Sequence, residues 1–331
     1  MKILVTGANG FLGSHVSRAL AQRGHKVRGM ILPGTPPGEA ARWREATVEA
    51  DLRDGAALAR ALVGVEAVAH LAACVADSGP THPLYEINVL GTKRLLAAAA
   101  RAGVGRLALV SSLTVHGFHA FHDAGEGTGY DWQVNGYARS KILAEGLCRE
   151  AQARGLLETT ILRPAFIPYG EHDRLGLPGM LAALESGFFP LIGGADPLVS
   201  TVYADTFGLG LGLALERPEA AGEDFVIGDD EEGQEPWTFT DFLRALAEAA
   251  GLQAPRFIPI PAAAARGLSA LVEDWWYRLG AKGLAPLSRY RAKVATHDLH
   301  FSTEKARRVL GFEPEVAREE AIRRSVDLLR K

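Results

Sequence analysis

Cysteine is scarce. Cys74 and Cys148 are the only two in 331 residues, which is no disulfide framework and suits a reducing compartment. No uninterrupted apolar run reaches the ~18–20 residues that a membrane-spanning helix needs, so no integral membrane segment is expected. Neither sign of charge dominates: 36 Lys and Arg stand against 39 Asp and Glu, a formal net charge of -3. That argues against a general affinity for nucleic acid or anionic membrane. The apolar residues after Met1 and Lys2 run straight into a glycine turn, which is not the pattern of a secretory signal. Internal repeats and low-complexity linkers are also missing. The expectation is a soluble cytoplasmic protein with no nucleic-acid partner, long enough for a sizeable buried core.

What is present begins at the amino end. Ile3-Leu4-Val5 leads into Thr6-Gly7-Ala8-Asn9-Gly10-Phe11-Leu12-Gly13, and apolar and polar residues then alternate from Phe11 to Gln22. This reads as strand, tight turn and helix. Gly7 reaches backbone angles closed to side chains, Gly10 lets the main chain approach a ligand, and Gly13 lets helix and strand pack closely. Free amides at the helix start then face a pyrophosphate, helped by the helix dipole. The spacing is GxxGxxG, and its strand–turn–helix setting raises it above a lone glycine triplet. Gly7, Asn9, Gly10, Phe11, Leu12 and Gly13 are therefore expected at a dinucleotide.

The first half continues to alternate. A second strand is expected over 24–31, an irregular loop over 33–38, a helix over 54–62 and a buried strand over 65–71. A long helix over 83–102 and a strand over 106–111 follow. This pattern predicts a parallel sheet covered on both faces, a doubly wound α/β fold, with ligands beyond the carboxyl ends of the strands. After Arg163-Pro164 proline and glycine recur, and helices are expected over 204–215, 240–250, 262–279 and 317–329. The division is residues 1–165 as the cofactor domain and 166–331 as mainly a smaller, irregular substrate lobe, with some segments returning to the sheet.

Tyr137-Ala138-Arg139-Ser140-Lys141 sets a phenol and an ammonium four residues apart, on one helix face. A phenol near pKa 10 is a poor base at neutral pH, roughly three units too high. A nearby ammonium and an oxidised nicotinamide both favour the phenolate. Ser111 and Ser112 end a strand at the expected rim of the sheet.

These motifs together resemble the extended short-chain dehydrogenase/reductases, which include NAD-dependent epimerases and dehydratases. The resemblance spans nearly the whole chain: the glycine turn, Asp51-Leu52, His70-Leu71-Ala72-Ala73, Asn88-Val89-Leu90-Gly91-Thr92, the stretch 111–117, 137–141 and Leu162-Arg163-Pro164. It implies Tyr137 as general acid/base, Ser112 as hydrogen-bond donor to the reacting oxygen, and Lys141 on the nicotinamide ribose. Asp51 and Leu52 would lie near the adenine, with Leu71, Ala72, Ala73 and Pro164 also at the cofactor. His116 stands where the family often has tyrosine and receives no role; Thr114 reads as a packed or capping threonine. The stretches 225–230, 286–291 and 302–312 are similar to the 3β-hydroxysteroid dehydrogenase branch, which includes β-hydroxy/β-keto acid reductases. A homodimer joined by the helices of Asn88 and Tyr137 is implied as well.

The expected reaction interconverts a secondary alcohol and a ketone on a largely apolar substrate. Phe166 replaces the asparagine that sugar-nucleotide relatives carry after the Arg-Pro motif. Phe166, Tyr169, Trp275 and Trp276 are the expected substrate residues. The alternative is a sugar-nucleotide epimerase or dehydratase with tightly bound NAD. A silent dinucleotide sensor would have lost Ser112, Tyr137 or Lys141. The second strand ends in Met30-Ile31-Leu32 without the acid that bonds a ribose diol, and Arg28 is nearby. The cofactor reading therefore tilts to NADP over NAD, with dual use open. His116, His119 and His122 have metal-like spacing without a supporting ligand pattern, so no metal is expected.

Overall fold

The computed structural model describes residues 1–76, 81–173, 176–194, 196–230, 233–279 and 289–329. Five strands open the chain: β1 Lys2–Thr6, β2 Lys26–Ile31, β3 Ala46–Glu49, β4 Ala67–His70 and β5 Arg106–Val110. Helix α1, Phe11–Gln22, follows the glycine turn, and α2, Gly55–Ala61, is capped by Asp54, whose carboxylate accepts from the amides of Ala56 and Ala57. The helix expected between β4 and β5 is found in three pieces: Thr81–Leu84, a wider π-helical stretch Tyr85–Gly91, and Thr92–Arg101. π-Helical stretches are uncommon and concentrate at functional sites.

The strands form one parallel sheet of seven. Its order is Asp224–Ile227, Glu158–Pro164, β5, β4, β1, β2, β3. Winding reverses between β1 and β4, which opens a crevice beyond their carboxyl ends. The last strand comes from the second half of the chain. Asp224 pairs with Ile161 and Ile227 with Pro164. Ile3, Val5, Val16 and Leu20 bury one face of the sheet, and Leu4, Leu58, Leu95 and Leu107 the other.

The helix Ala204–Glu216 also returns to this body and packs on α1. Its repeated glycines permit the approach: a Cβ on Gly208 would lie 2.8 Å from that of Ala19. Polar bonds reinforce it, since Asp205 takes His15 Nδ1 at 2.6 Å and also pairs with Arg18. Among the described residues there are also three two-stranded parallel pairs, one joining Phe188–Ile192 to Arg256–Ile260 and another joining Leu299–Phe301 back to Phe121–Ala124 in the first half. No helix among the described residues is long and apolar enough to cross a membrane.

Candidate active site

The glycine turn is shaped by what its neighbours leave no room for. Gly7 has φ +66°, and a Cβ there would lie 2.9 Å from the backbone of Ala72. A Cβ on Gly13 would come within 2.1 Å of the Gly7 carbonyl oxygen. The turn after β1 and the turn after β4 therefore meet backbone to backbone.

A chain of hydrogen bonds holds that meeting, and the sequence reading missed it. The Thr6 hydroxyl accepts from the amides of Leu71 and Ala72, both at 3.1 Å. Its single proton must then go to His70 Nδ1, 2.8 Å away. His70 is thereby fixed as the Nε2–H tautomer, donating to Thr92 Oγ1 at 2.9 Å, which donates on to the Asn88 carbonyl at 2.6 Å. The Asn88 side chain clamps the same loop from the other side: it accepts from the Cys74 amide at 2.8 Å and donates to the Cys74 carbonyl at 2.9 Å. The histidine and the asparagine were visible inside their motifs, but the partners lie far away in sequence.

Beside these turns lies a cavity of about 450 Å³, lined by Gly7, Asn9, Gly10, Leu32, Asp51, Leu52, Arg53, Leu71, Ala72 and Ala73 among others. Backbone amides free of side-chain cover, an apolar wall and one acid–base pair match the needs of a dinucleotide's pyrophosphate, adenine and ribose. Asp51 and Arg53 form that pair at 2.6 Å, and the Arg53 hydrogen bond holds the Asp51 carboxyl below its usual range. Phe11 and Leu12 begin α1 next to the turn, and Pro164 ends its strand at the same rim of the sheet.

Two expected contacts are corrected here. The Asn9 side chain is spent on the neighbouring loop, donating to Thr35 Oγ1 at 3.0 Å and to the Pro36 carbonyl at 2.9 Å; only the position of Asn9 remains at the cavity. Arg28 does not reach the cofactor crevice. Its guanidinium donates to the carbonyls of Ala61 and Val63, at 2.7 and 2.9 Å, at the carboxyl end of α2. Helices of a doubly wound fold run against the strands, so that end faces the opposite edge of the sheet. Arg28→Met should leave the ratio of NADP to NAD dissociation constants unchanged; a shift in that ratio on titration would restore Arg28 to the site.

The chemistry-bearing residues converge where β5 ends. Ser112 follows its last turn and caps the short helix Leu113–His116. Ser112 Oγ accepts from the Thr114 amide at 3.3 Å and from Thr114 Oγ1 at 2.9 Å. With both lone pairs taken, its own proton is left to donate elsewhere. Thr114, read from sequence as packed or capping, is packed, and its hydroxyl bonds Ser112, which is the residue that caps the helix. Helix Gly136–Ala153, capped by Asn135, carries Tyr137 half-buried and Lys141 buried. Lys141 Nζ donates to the Val110 carbonyl at 2.9 Å and lies 5.8 Å from the centre of the Tyr137 ring. Burial pushes the ammonium down to about 8, partly opposed by Glu145.

Glu145, on the same helix, is fully buried and takes five donors, the longest of them Arg149 Nη1 at 3.3 Å. Ser111 Oγ and Tyr130 OH reach it at 2.5 and 2.6 Å, and Arg163 binds it through Nε and Nη2 at 3.0 and 2.6 Å. This pair ties the Tyr137 helix to the strand Glu158–Pro164 under the site.

Substrate residues fare unevenly. Phe166 is half-buried in an aromatic group, 6.1 Å from Phe118 and 5.9 Å from Phe301 between ring centres. Tyr169 is corrected: it is 1% exposed and packs against Tyr203 and Phe242 in a core. Trp275 is corrected too, since it stands on the outward face of the helix Ala262–Arg278, 57% exposed. Trp276, its neighbour, is half-buried. Residues 286–288 of the branch-specific stretch lie outside the described residues. His116, His119 and His122 have separate partners, the Gly129 carbonyl, Asp131 and Asp298.

Two buried imidazoles give the fold a pH dependence. Burial first and Lys141 second push His70 down to about 3, and burial followed by Arg163 pushes His116 down to about 4. The unfolded chain takes up these protons near pH 6.5, where the folded one refuses them, so stability is full above that pH and falls on acidification. Asp229 and His300 oppose this: burial raises Asp229 from 3.8 to about 6, and His300, though burial lowers it, is raised overall by Asp230 and Asp123, so the folded chain retains protons over that window. The two larger displacements win. The melting temperature should fall between pH 7 and 5, and His70→Asn, which cannot take the proton, should flatten the slope; an unaltered slope would remove His70 from the account.

Fold and site together define an NAD(P)-dependent dehydrogenase or reductase acting on a CH–OH group. The chain belongs to the NAD dependent epimerase/dehydratase family, whose profile matches residues 3–228. It is 33% identical, over 98% of both chains, to the 2-alkyl-3-oxoalkanoate reductase of Stenotrophomonas maltophilia. It is 31% identical to 3beta-hydroxysteroid-dehydrogenase/decarboxylase isoform 2 of Arabidopsis thaliana, over 85% of this chain and about half (51%) of that longer protein. Among solved structures, NAD-bound dTDP-glucose 4,6-dehydratase from Streptomyces venezuelae superposes with a TM-score of 0.76 at 26% identity, covering 100% of this chain and 97% of the other.

Proposed function

We propose that this protein interconverts a secondary alcohol and a ketone on a largely apolar substrate of the β-hydroxy/β-keto acid or 3β-hydroxysteroid kind. One observation carries the catalytic part: Ser112, with its proton left free, and the buried Lys141 beside Tyr137 meet at the end of β5, the strand paired with β4, whose following residues Leu71, Ala72 and Ala73 line the cavity. Residues 1–165 supply this site, and the later part of the chain, apart from the segments that rejoin the sheet, supplies the substrate lobe. When bound, the nicotinamide cofactor supplies hydride exchange. Gly7 and Gly10 would hold its pyrophosphate by backbone, with Gly13 letting the turn close beneath them, Asp51 and Leu52 its adenine side, and Lys141 its ribose. Tyr137 takes the hydroxyl proton in the oxidative direction and returns it in the other, and Ser112 donates to the oxygen as charge develops there.

NADP is favoured and NAD accepted. Met30-Ile31-Leu32 presents no acid to repel a 2'-phosphate, and Arg53, paired with Asp51, lines the same cavity. The apolar substrate is supported by the rings around Phe166 and by the names of the two similar curated enzymes. We infer a homodimer through the helices of Asn88 and Tyr137, where Tyr85, Trp132 and Leu143 are exposed around a hollow of about 420 Å³. The cytoplasm is the proposed location, in keeping with two free cysteines.

The test is a series of 3-hydroxy acids of increasing chain length, followed by absorbance of the reduced cofactor. With ~0.8 kcal/mol per buried methylene, kcat/KM should rise by up to roughly fourfold for each one that reaches the pocket. The likeness to a dTDP-glucose dehydratase supports a second reading, a sugar-nucleotide epimerase or dehydratase with tightly held NAD. A flat series beside good turnover of a UDP- or dTDP-sugar would establish that one instead.

A further inference from the structure

The helix Ala262–Arg278 is built inside out. A surface helix of a soluble protein buries its apolar stripe and shows its polar face. Here the buried positions include Ser269 at 0% and Glu273 at 7% exposure, beside Ala265 at 3%. The outward positions are Leu268, Leu271, Trp275 and, just past the end, Leu279, which are 53, 60, 57 and 75% exposed. They recur at i, i+3, i+7 and i+11, so they form one continuous stripe along the helix.

The sequence on either side of this helix is equally unlike the rest of the chain in its charge. Between Arg256 and Lys293 the sequence has seven arginines and lysines against two acids, Glu273 and Asp274, in a protein whose net charge is -3. Glu273 is among the buried groups, and the exposed Asp274 is outnumbered by the exposed Arg256, Arg278 and Lys293. An apolar stripe with tryptophan on it and cations around it is the composition of a helix that lies in the interface of an anionic bilayer. The strand pair before the helix exposes two more large apolar side chains, Phe188 and Ile258.

We propose that the outward face of the helix Ala262–Arg278 is a membrane-docking surface, which seats the protein on an anionic lipid bilayer without crossing it. This goes beyond the catalytic reading and stands independently of it, because the stripe faces away from the helix's buried side and includes none of Ser112, Tyr137 or Lys141. Net charge misleads here because binding to a surface is decided by local charge, within about a Debye length of ~8–10 Å.

The test is flotation of the full-length protein with phosphatidylcholine vesicles, with and without phosphatidylglycerol. The wild type should float with the anionic vesicles, less in high salt and much less with phosphatidylcholine alone. Leu268→Gln/Leu271→Gln should weaken that binding by roughly tenfold or more, since two leucine side chains leave the lipid, while Leu268→Phe/Leu271→Phe should retain it. Arg278→Glu, a change at an exposed position, should weaken binding most at low salt. Melting curves and cofactor titration check that each variant is folded. Absence of flotation, or flotation equal in wild type and the glutamine variant, would overturn the proposal. So would an oligomer in sedimentation that the glutamine variant dissolves with no vesicle binding in the wild type; the stripe would then belong to a second copy of the chain.

Discussion

Tyr137→Phe should lower kcat by ~10²–10⁴, the usual scale for losing a general acid/base, while binding of the dinucleotide stays close to wild type. The substitution removes one oxygen and keeps the ring, so the 5.8 Å approach of Lys141 to that ring is preserved. Ser112 remains oriented by Thr114, and Lys141 remains tied to the Val110 carbonyl. What is lost is the phenol oxygen proposed to take the substrate's proton. Single-turnover rates, together with cofactor titration by fluorescence, separate these effects. A variant that keeps more than half of wild-type turnover would move the acid/base role to another residue. Lys141→Ala should differ in kind, weakening cofactor binding and rate together.

The largest effect on stability should come from Arg163→Met. Arg163 and Glu145 are 1% and 0% exposed, and their pairing is bidentate. Removing the cation leaves the interior carboxylate with only the longer Arg149 contact, at 3.3 Å, as a cationic partner, at a cost of up to roughly 3–5 kcal/mol. Asp224 loses a partner as well, because Arg163 Nη2 reaches it at 2.8 Å. The melting temperature should therefore drop by many degrees. Glu145→Gln combined with Arg163→Met should restore part of the loss, since the stranded charge is gone. If the single variant melts within a degree of wild type, water reaches the pair and its burial is overstated. Activity should suffer beyond the stability loss, because Glu145 also takes the hydroxyl of Ser111, next to Ser112.

The parts of this molecule that were legible in sequence are those whose geometry is local. The glycine turn, the YxxxK pair and the serine after β5 each act within one strand–turn–helix unit, so spacing alone places them. Arg28 was misread because a strand position does not say which edge of the sheet a long side chain will reach. Tyr169 and Trp275 were misread for a related reason: an aromatic residue in an irregular lobe can pack, face a pocket or face outward, and only tertiary structure decides. The Thr6–His70–Thr92 chain joins residues 64 and 22 positions apart, and no periodicity signals it. The wide helical stretch Tyr85–Gly91 likewise follows from the packing around Asn88.

The sheet's outermost strand, Asp224–Ile227, bears on how the chain folds as it is made. Until those residues leave the ribosome, the strand Glu158–Pro164 is the sheet's terminal edge, with a ladder of amides and carbonyls open to any passing strand. The sites proposed for cofactor and proton transfer are encoded before residue 165, yet the sheet beneath them is completed only some sixty residues later. A fragment cut at that apparent boundary would be sticky rather than merely incomplete, and synthesis that stalls in this interval exposes the same edge.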